Sequence, residues 1–496
     1  MSNAYLEGLS AIGPEVVLTA VAFLVLVVDL VTKGRDSDRI GYLTLAGLAV
    51  TGWWVIGRYD RTNGTAFGMV VVDQFGNFFK LFTVLSLSVV VFFVMQDRRE
   101  KKHGIGEYYF LLLGAAIGIF FMVSTNNLLL MILGLELLSL ASYSLAGFHK
   151  GDKRSAEAAM KYVVFGGLST GIMVYGISLL YGLTGTLDLG LMGSADGTGS
   201  PTGLVDQVNA SPVPVAIAVV LVLAGFAYKV SIAPFPFWTP DVYEGAPTPV
   251  TTFLAVGSKA AGIAALLRFL GALFVSPGVQ AAVVAYGERI GLLLAILSAV
   301  TMTIGNLAAQ RKTSLKRLLA YSSIAHAGYV LIGVACMTDG GFSAAMYYLA
   351  AYYFMNLGAF GFLLYFEGVT GTETIESLKG MGHRVPLLAI TMVVFLVSLT
   401  GLPPTVGFYG KYLLFVEGWS AGLGWLLVIA GLNTVFSLFY YFRVAKALFL
   451  SGETERLAAP QPMLTGFLAA LGLATVVFGL YATPIHSWAL RSLDML

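Results

Sequence analysis

The chain is a succession of long apolar runs separated by short polar stretches. Runs of helical length fall at about 13–32, 40–57, 75–95, 107–123, 126–147, 157–183, 213–233, 249–274, 290–308, 316–337, 342–366, 386–418, 421–449 and 464–487. A membrane-spanning helix needs roughly 20 apolar residues. The pattern therefore predicts fourteen spans. The runs are too long for strands and lack the two-residue alternation of a membrane barrel.

The punctuation predicts the sidedness. Loops after odd-numbered spans hold seventeen lysines and arginines, among them Lys33, Arg99, Lys153, Arg317 and Lys379, whereas loops after even-numbered spans hold only Arg58, Arg61 and Arg289. Positive residues stay on the cytoplasmic side. Both termini are thus expected outside, in agreement with an even number of spans. Residues 1–12 carry Glu7 and no lysine or arginine, unlike the basic start of a cleavable signal, so the first run is expected to stay as a helix. The longest loop, about 184–212, is rich in Gly, Ser and Asp and is expected outside.

Composition agrees. Of 496 residues, 57% are hydrophobic and 11% charged, against roughly 25% charged in a soluble domain. Mean hydropathy is +0.82. A soluble enzyme is excluded. The formal net charge of +2 comes with no basic stripe, so nothing points to nucleic acid. Cys336 is the single cysteine, which rules out an intrachain disulfide and falls short of cysteine-ligated iron–sulfur or CxxCH haem sites. Neither G-x-G-x-x-G nor GK[ST] occurs. No cofactor site is expected in this chain.

Ionisable residues deep in a span are costly and are functional candidates by default. Six stand out: Glu136, Lys161, Lys229, Lys259, His326 and Lys411. Glu136, Lys259 and His326 are mid-run. Lys229 ends a run five residues before Pro234, and Lys411 follows Pro404 by seven. Pro234/Pro236 and Pro403/Pro404 interrupt two long runs, and interrupted helices in corresponding positions of two halves point to a transporter's ion site. The spacings predict two inverted repeats, helices 4–8 and 9–13, within an all-α membrane fold of fourteen helices with helices 7 and 12 broken. Residues 1–105 would form a three-helix extension, 106–275 the first repeat, 284–450 the second and 451–496 a last helix. Burial disfavours an ammonium and a nearby carboxylate favours it, so a buried lysine is switched by moving its partner. A row of such groups titrates as a unit and is suited to handling protons. Glu136 is expected beside Lys229. Lys161, nearer the cytoplasmic end, and Lys80 have the snorkelling of a long cationic side chain as a competing explanation, and Arg268 is expected to be an interfacial anchor.

The stretches LGLELLSLASYSLAGF, SAEAAMKYVVFGGLSTGIMVYGISLLYGLTGTLDL, WTPDVYEGAPTPVTTFLAVGSKAAG and SLKRLLAYSSIAHAGYVLIG resemble subunit N of bacterial respiratory complex I, the proton-pumping NADH:quinone oxidoreductase. The resemblance spans about residues 107–450. It implies an antiporter-like fold in which Glu136, Lys161, Lys229, Lys259, His326 and Lys411 match the helix-5, -6, -7, -8, -10 and -12 residues of a proton relay at mid-membrane. It also implies flavin and iron–sulfur clusters in partner subunits, none here. The partners would be a neighbouring antiporter-like subunit and small membrane subunits of the membrane arm, in a bacterial plasma membrane. The alternative is a subunit of a multi-subunit cation/proton antiporter. One departure is visible: where the family commonly carries a histidine after the helix-7 lysine, in PFHxW, this chain has Pro236 in Pro234-Phe235-Pro236-Phe237-Trp238.

Overall fold

The computed structural model describes residues 8–33, 37–59, 64–97, 104–193, 204–275, 281–450 and 461–493. The loop charges Arg35, Arg61, Arg98, Arg99, Lys101, Lys102 and Arg456, together with Glu7 and the middle of the 184–212 loop, lie outside the described residues. The described chain is almost wholly helical. The main helices are α1 (Gly13–Thr32), α2 (Ser37–Ile56), α3 (Gln74–Gln96), α4 (Ile105–Val123), α5 (Leu128–Ala146), α6 (Lys153–Thr184), α7a (Pro212–Val230), α7b (Trp238–Gly245), α8 (Thr248–Val275), α9 (Ala281–Ala309), α10 (Leu315–Ala335), α11 (Asp339–Thr370), α12a (Pro386–Thr400), α12b (Val406–Ser420), α13 (Gly424–Phe449) and α14 (Pro462–Leu480). Among the described residues, thirteen helices are long and apolar enough to cross a membrane, and α12a is a shorter apolar helix.

Sequence-local signals set the ends. Proline stands in the first turn of α1, α7a, α12a and α14, where its missing N–H costs nothing. Asp73, Asn127 and Ser314 cap α3, α5 and α10 through their side-chain oxygens. Helix α8 runs down the middle of the molecule, and its most apolar stretch is entirely buried. It contains two widened turns, Leu254–Ser258 and Gly271–Val275. The first immediately precedes Lys259, as such turns often do at functional positions.

Two stretches depart from the expectation. A small antiparallel hairpin, β1 (Gly64–Ala66) and β2 (Val70–Val72), lies between α2 and α3. It is too short to leave an alternation in the sequence. The proline-rich stretch after Ile232 contains the helix α7b, because Pro240 falls in its first turn, where a missing N–H breaks no helical hydrogen bond.

One pattern of backbone contact occurs twice along the chain. The Leu128 N–H bonds to the Leu187 carbonyl and the Leu189 N–H to that of Asn126; likewise Leu315 N–H bonds to Glu373 and Ile375 N–H to Thr313. Each strip ties the turn before the second helix of a half to the turn after its third. Five helices separate the strips, so in a spanning bundle they lie on opposite faces.

Two cations thought to reach the interface do not. Lys80 is 2% exposed and its Nζ lies 2.6 Å from Glu15 Oε1, so α1 and α3 are joined by a buried ion pair. Arg268 is 1% exposed and grips Asp73 with two nitrogens, Nη1 to Oδ2 at 2.7 Å and Nη2 to Oδ1 at 2.9 Å. The snorkelling and anchor explanations fail because each has a carboxylate partner inside the bundle. That partner, Glu15 or Asp73, lies far away in sequence.

Candidate functional site

Five of the six candidate residues sit in the bundle interior or at its edge, and their partners are polar side chains spread over five helices. On α5, Glu136 accepts a hydrogen bond from Thr170 of α6 at 2.6 Å. Lys229 occupies the last turn of α7a, where the negative end of the helix dipole favours an ammonium. Its Nζ donates to Ser139 Oγ at 3.1 Å, one turn beyond Glu136. The expected Glu136–Lys229 neighbourhood is therefore present with serine as the direct contact.

The break after Lys229 is held by side chains. Ser231 takes a left-handed conformation, Thr239 donates to its hydroxyl at 2.7 Å, Trp238 donates to the Tyr228 carbonyl at 3.1 Å, and the Ala233 N–H reaches Thr301 Oγ1 at 2.9 Å. Backbone freed from a helix inside a membrane must find such partners. Pro236 is buried within this network, between the partly buried Phe235 and the exposed Phe237.

Helix α8 passes directly behind Lys229. A Cβ on Gly262 would lie 2.9 Å from Val230 Cγ2 and 3.2 Å from Lys229 Cγ, so only glycine permits this approach. Less than one turn earlier, Lys259 is 4% exposed and donates to both the carbonyl and the hydroxyl of Ser323 on α10, at 2.8 and 2.6 Å. The next residue, Ser322, hydrogen-bonds Tyr441 of α13. Tyr441 in turn contacts His326 Nε2 at 3.2 Å, and Tyr348 of α11 contacts His326 Nδ1 at 2.7 Å. His326 is thus held at both ring nitrogens by phenols.

The row continues to Lys411 on α12b. The His326 and Tyr329 ring centroids are 5.9 Å apart, and Lys411 Nζ lies 4.1 Å from the centre of the Tyr329 ring. Lys411 donates to the Thr400 carbonyl at 2.9 Å and to Thr434 Oγ1 at 3.3 Å, and Thr434 is also bonded to the Tyr329 hydroxyl at 3.0 Å. The lysine therefore caps a carbonyl orphaned at the end of α12a. Gly401 makes this possible: its φ of 83° is left-handed, and a Cβ there would lie 2.7 Å from Lys411 Cδ. Gly401→Ala is expected to displace the lysine and to destabilise the protein by about 1–3 kcal/mol, because a left-handed backbone disfavours a Cβ. The melting temperature of the purified variant checks this, and an unchanged value contradicts it.

Lys161 lies elsewhere. Its side chain is about one-third exposed, and it pairs with Asp241 of α7b and Glu157, at 2.6 and 2.7 Å. Arg317 of α10 joins the same group through Asp241 and Glu244. Beside it, on the face formed by odd-numbered loops, is a cavity of about 620 Å³ lined by Glu244, Lys316, Glu367 and Glu373, among others. At its floor Glu367 accepts a hydrogen bond from Thr248, the first residue of α8, at 2.6 Å. Burial pushes the Glu373 carboxyl above the usual carboxylate range.

Sequence reasoning named the titratable groups and missed most of what connects them. Ser139, Ser323, Tyr329, Tyr348, Thr434 and Tyr441 look like ordinary packing residues in an apolar run. Only the polar triplet Ser322, Ser323 and His326 within one α10 turn carries a visible signal. Among the described residues no group of three His, Cys, Asp or Glu is placed to hold a metal ion.

Comparison with known proteins fits this geometry. Residues 125–437 match the family model described as NADH:quinone oxidoreductase/Mrp antiporter, TM. NADH-quinone oxidoreductase subunit N 2 of Sorangium cellulosum is 42% identical, over 98% of this chain and 98% of that one. NAD(P)H-quinone oxidoreductase subunit 2 of a Nostoc species is 38% identical over 97% and 92%. A chain of respiratory complex I from Thermus thermophilus with bound Aureothin superposes with a TM-score of 0.79 at 33% identity, over 96% of this chain and 98% of that one. A chain of the Mrp complex from a Dietzia species, at 19% identity, shares the fold with a TM-score of 0.82, over 100% and 97%. This chain belongs to the subunit N family of NADH-quinone oxidoreductases, within the NADH:quinone oxidoreductase/Mrp antiporter transmembrane proteins.

Proposed function

We propose that this chain is a proton-translocating membrane-arm subunit of an NADH:quinone oxidoreductase. It carries protons along Glu136, Lys229, Lys259, His326 and Lys411, while redox chemistry occurs in partner subunits that hold flavin and iron–sulfur clusters. The observation that carries this reading is the run of contacts from Lys259 through Ser323, Ser322, Tyr441 and His326 to Tyr329, Thr434 and Lys411. Hydroxyls both donate and accept, so they pass a proton between a lysine and an imidazole that have no direct contact.

In this reading the chain comprises two inverted repeats, 106–275 and 284–450, after an extension of residues 1–105. The cavity beside Lys161, Asp241 and Glu367 supplies protons from the cytoplasmic face, and Lys161 serves at that mouth. Glu136, only partly covered by this chain, meets a neighbouring membrane subunit. Both termini face outward in a bacterial plasma membrane.

Purification through a tag on this chain tests the reading against a cation/proton antiporter. Co-purification of flavin and iron–sulfur signals that NADH reduces is the expected outcome. A stable complex of membrane subunits devoid of redox centres contradicts it.

A further inference from the structure

Among the buried charged groups the relay leaves unused is a cluster around Arg268. It is at the opposite face from the cavity, at the end of α8. Arg268 holds both oxygens of Asp73, and Asp73 Oδ1 also accepts the Gly76 N–H at 2.7 Å, so the carboxylate is fully engaged. Arg268 Nη1 donates as well to Asn126 Oδ1 at 3.1 Å, and its guanidinium carbon lies 4.9 Å from the centre of the Phe75 ring. The hairpin closes over the same place: the Val71 N–H bonds to the Ser124 carbonyl at 2.8 Å, and Thr125 donates to the Met69 carbonyl at 2.7 Å. Ser124 and Thr125 are essentially inaccessible.

The other half has a counterpart with a different chemistry. Arg443, near the end of α13, donates to the carbonyls of Gln310 and Lys312, in the turn between α9 and α10. Each arginine thus grips the turn between the first two helices of its own half. The one at Arg443 is partly exposed and its two terminal nitrogens bond backbone carbonyls. The one at Arg268 is buried and holds a carboxylate contributed by α3, from outside the repeat.

We propose that Arg268 and Asp73 form a proton seal that shuts the outer end of the first repeat, so that a proton on Lys259 is directed onward to His326 and Lys411. This rests on the relay reading above. A buried carboxylate with free oxygens nine residues along α8 from Lys259 would be the next proton acceptor. Arg268 removes that possibility by occupying both oxygens with donors that do not deprotonate. The three-helix extension and its hairpin then have a defined role, to supply the carboxylate and cover the knot. Arg268 is a positioning residue here and takes no proton itself.

The charge logic makes the test asymmetric. The whole complex is reconstituted in proteoliposomes, and the decay of an imposed pH gradient is followed without NADH, together with protons moved per NADH. Arg268→Gln frees a buried carboxylate and is expected to raise the passive proton leak at least fivefold and lower the proton yield. Asp73→Asn leaves no proton acceptor and is expected to stay within twofold of the parent leak. Arg268→Gln combined with Asp73→Asn is expected to return to that level, which a purely structural role would not produce. Equal leaks in both single variants, or no leak in either, overturn the seal. If Arg268→Gln does not assemble, Arg268→Lys decides: lysine keeps the charge but can give up its proton and does not fork onto both oxygens, so a leak supports the seal and a tight membrane overturns it. Normal pumping in Lys259→Met would instead sink the relay reading, whatever the leak pattern.

Discussion

A complex carrying Lys259→Met assembles, yet proton transfer through this subunit falls roughly 100-fold. Methionine fills the space of the lysine stem and carries no transferable proton. It leaves the Ser323 hydroxyl and carbonyl without the donor they share. A proton crossing the gap must then do so as an unsupported charge in an apolar interior. Such a charge costs about 3 kcal/mol at the centre of a bilayer on insertion scales, and each 1.4 kcal/mol is worth a factor of ten in rate. Protons translocated per NADH, measured by a pH-sensitive dye in proteoliposomes, are expected to drop accordingly. A full proton yield from the assembled variant would remove Lys259 from the path.

Glu136→Gln is expected to slow pumping about tenfold while leaving assembly intact. Glutamine keeps the shape and still accepts the Thr170 hydrogen bond, so packing between α5 and α6 persists. The negative charge near Lys229 is lost. Since Ser139 is the direct partner of Lys229, the carboxylate acts on it through space, and a buried lysine responds to such a charge. Loss of assembly with normal pumping in the assembled fraction would make Glu136 a packing residue. The proton yield and the amount of intact complex, measured on the same preparation, separate the two.

The spans, the two helix breaks and the six titratable candidates were legible in the sequence because each rests on a local signal. Hydropathy marks a span, paired prolines mark a break, and a charge in an apolar run is conspicuous. The connecting hydroxyls were not legible. Tyr329, Tyr348 and Tyr441 are among many buried tyrosines, and only tertiary packing selects those that touch His326 or Lys411. Lys80 and Arg268 were misread for the same reason. A lone cation near the end of a run has the same local appearance whether it reaches lipid headgroups or a distant carboxylate, and Glu15 and Asp73 belong to other helices. Lys161 is intermediate: its place near the start of α6 was readable from the run itself, but its tie to Asp241 depends on α7b, a helix concealed among prolines.

The relay itself is tested by the protons moved per NADH in Lys229→Ala, Lys411→Ala and the variant with both. Links of one chain fail together, so the doubly substituted complex is expected to pump no less than the poorer single variant. Separate losses that multiply in the double variant would mean two independent routes, and the single relay proposed from Lys229 to Lys411 would be wrong.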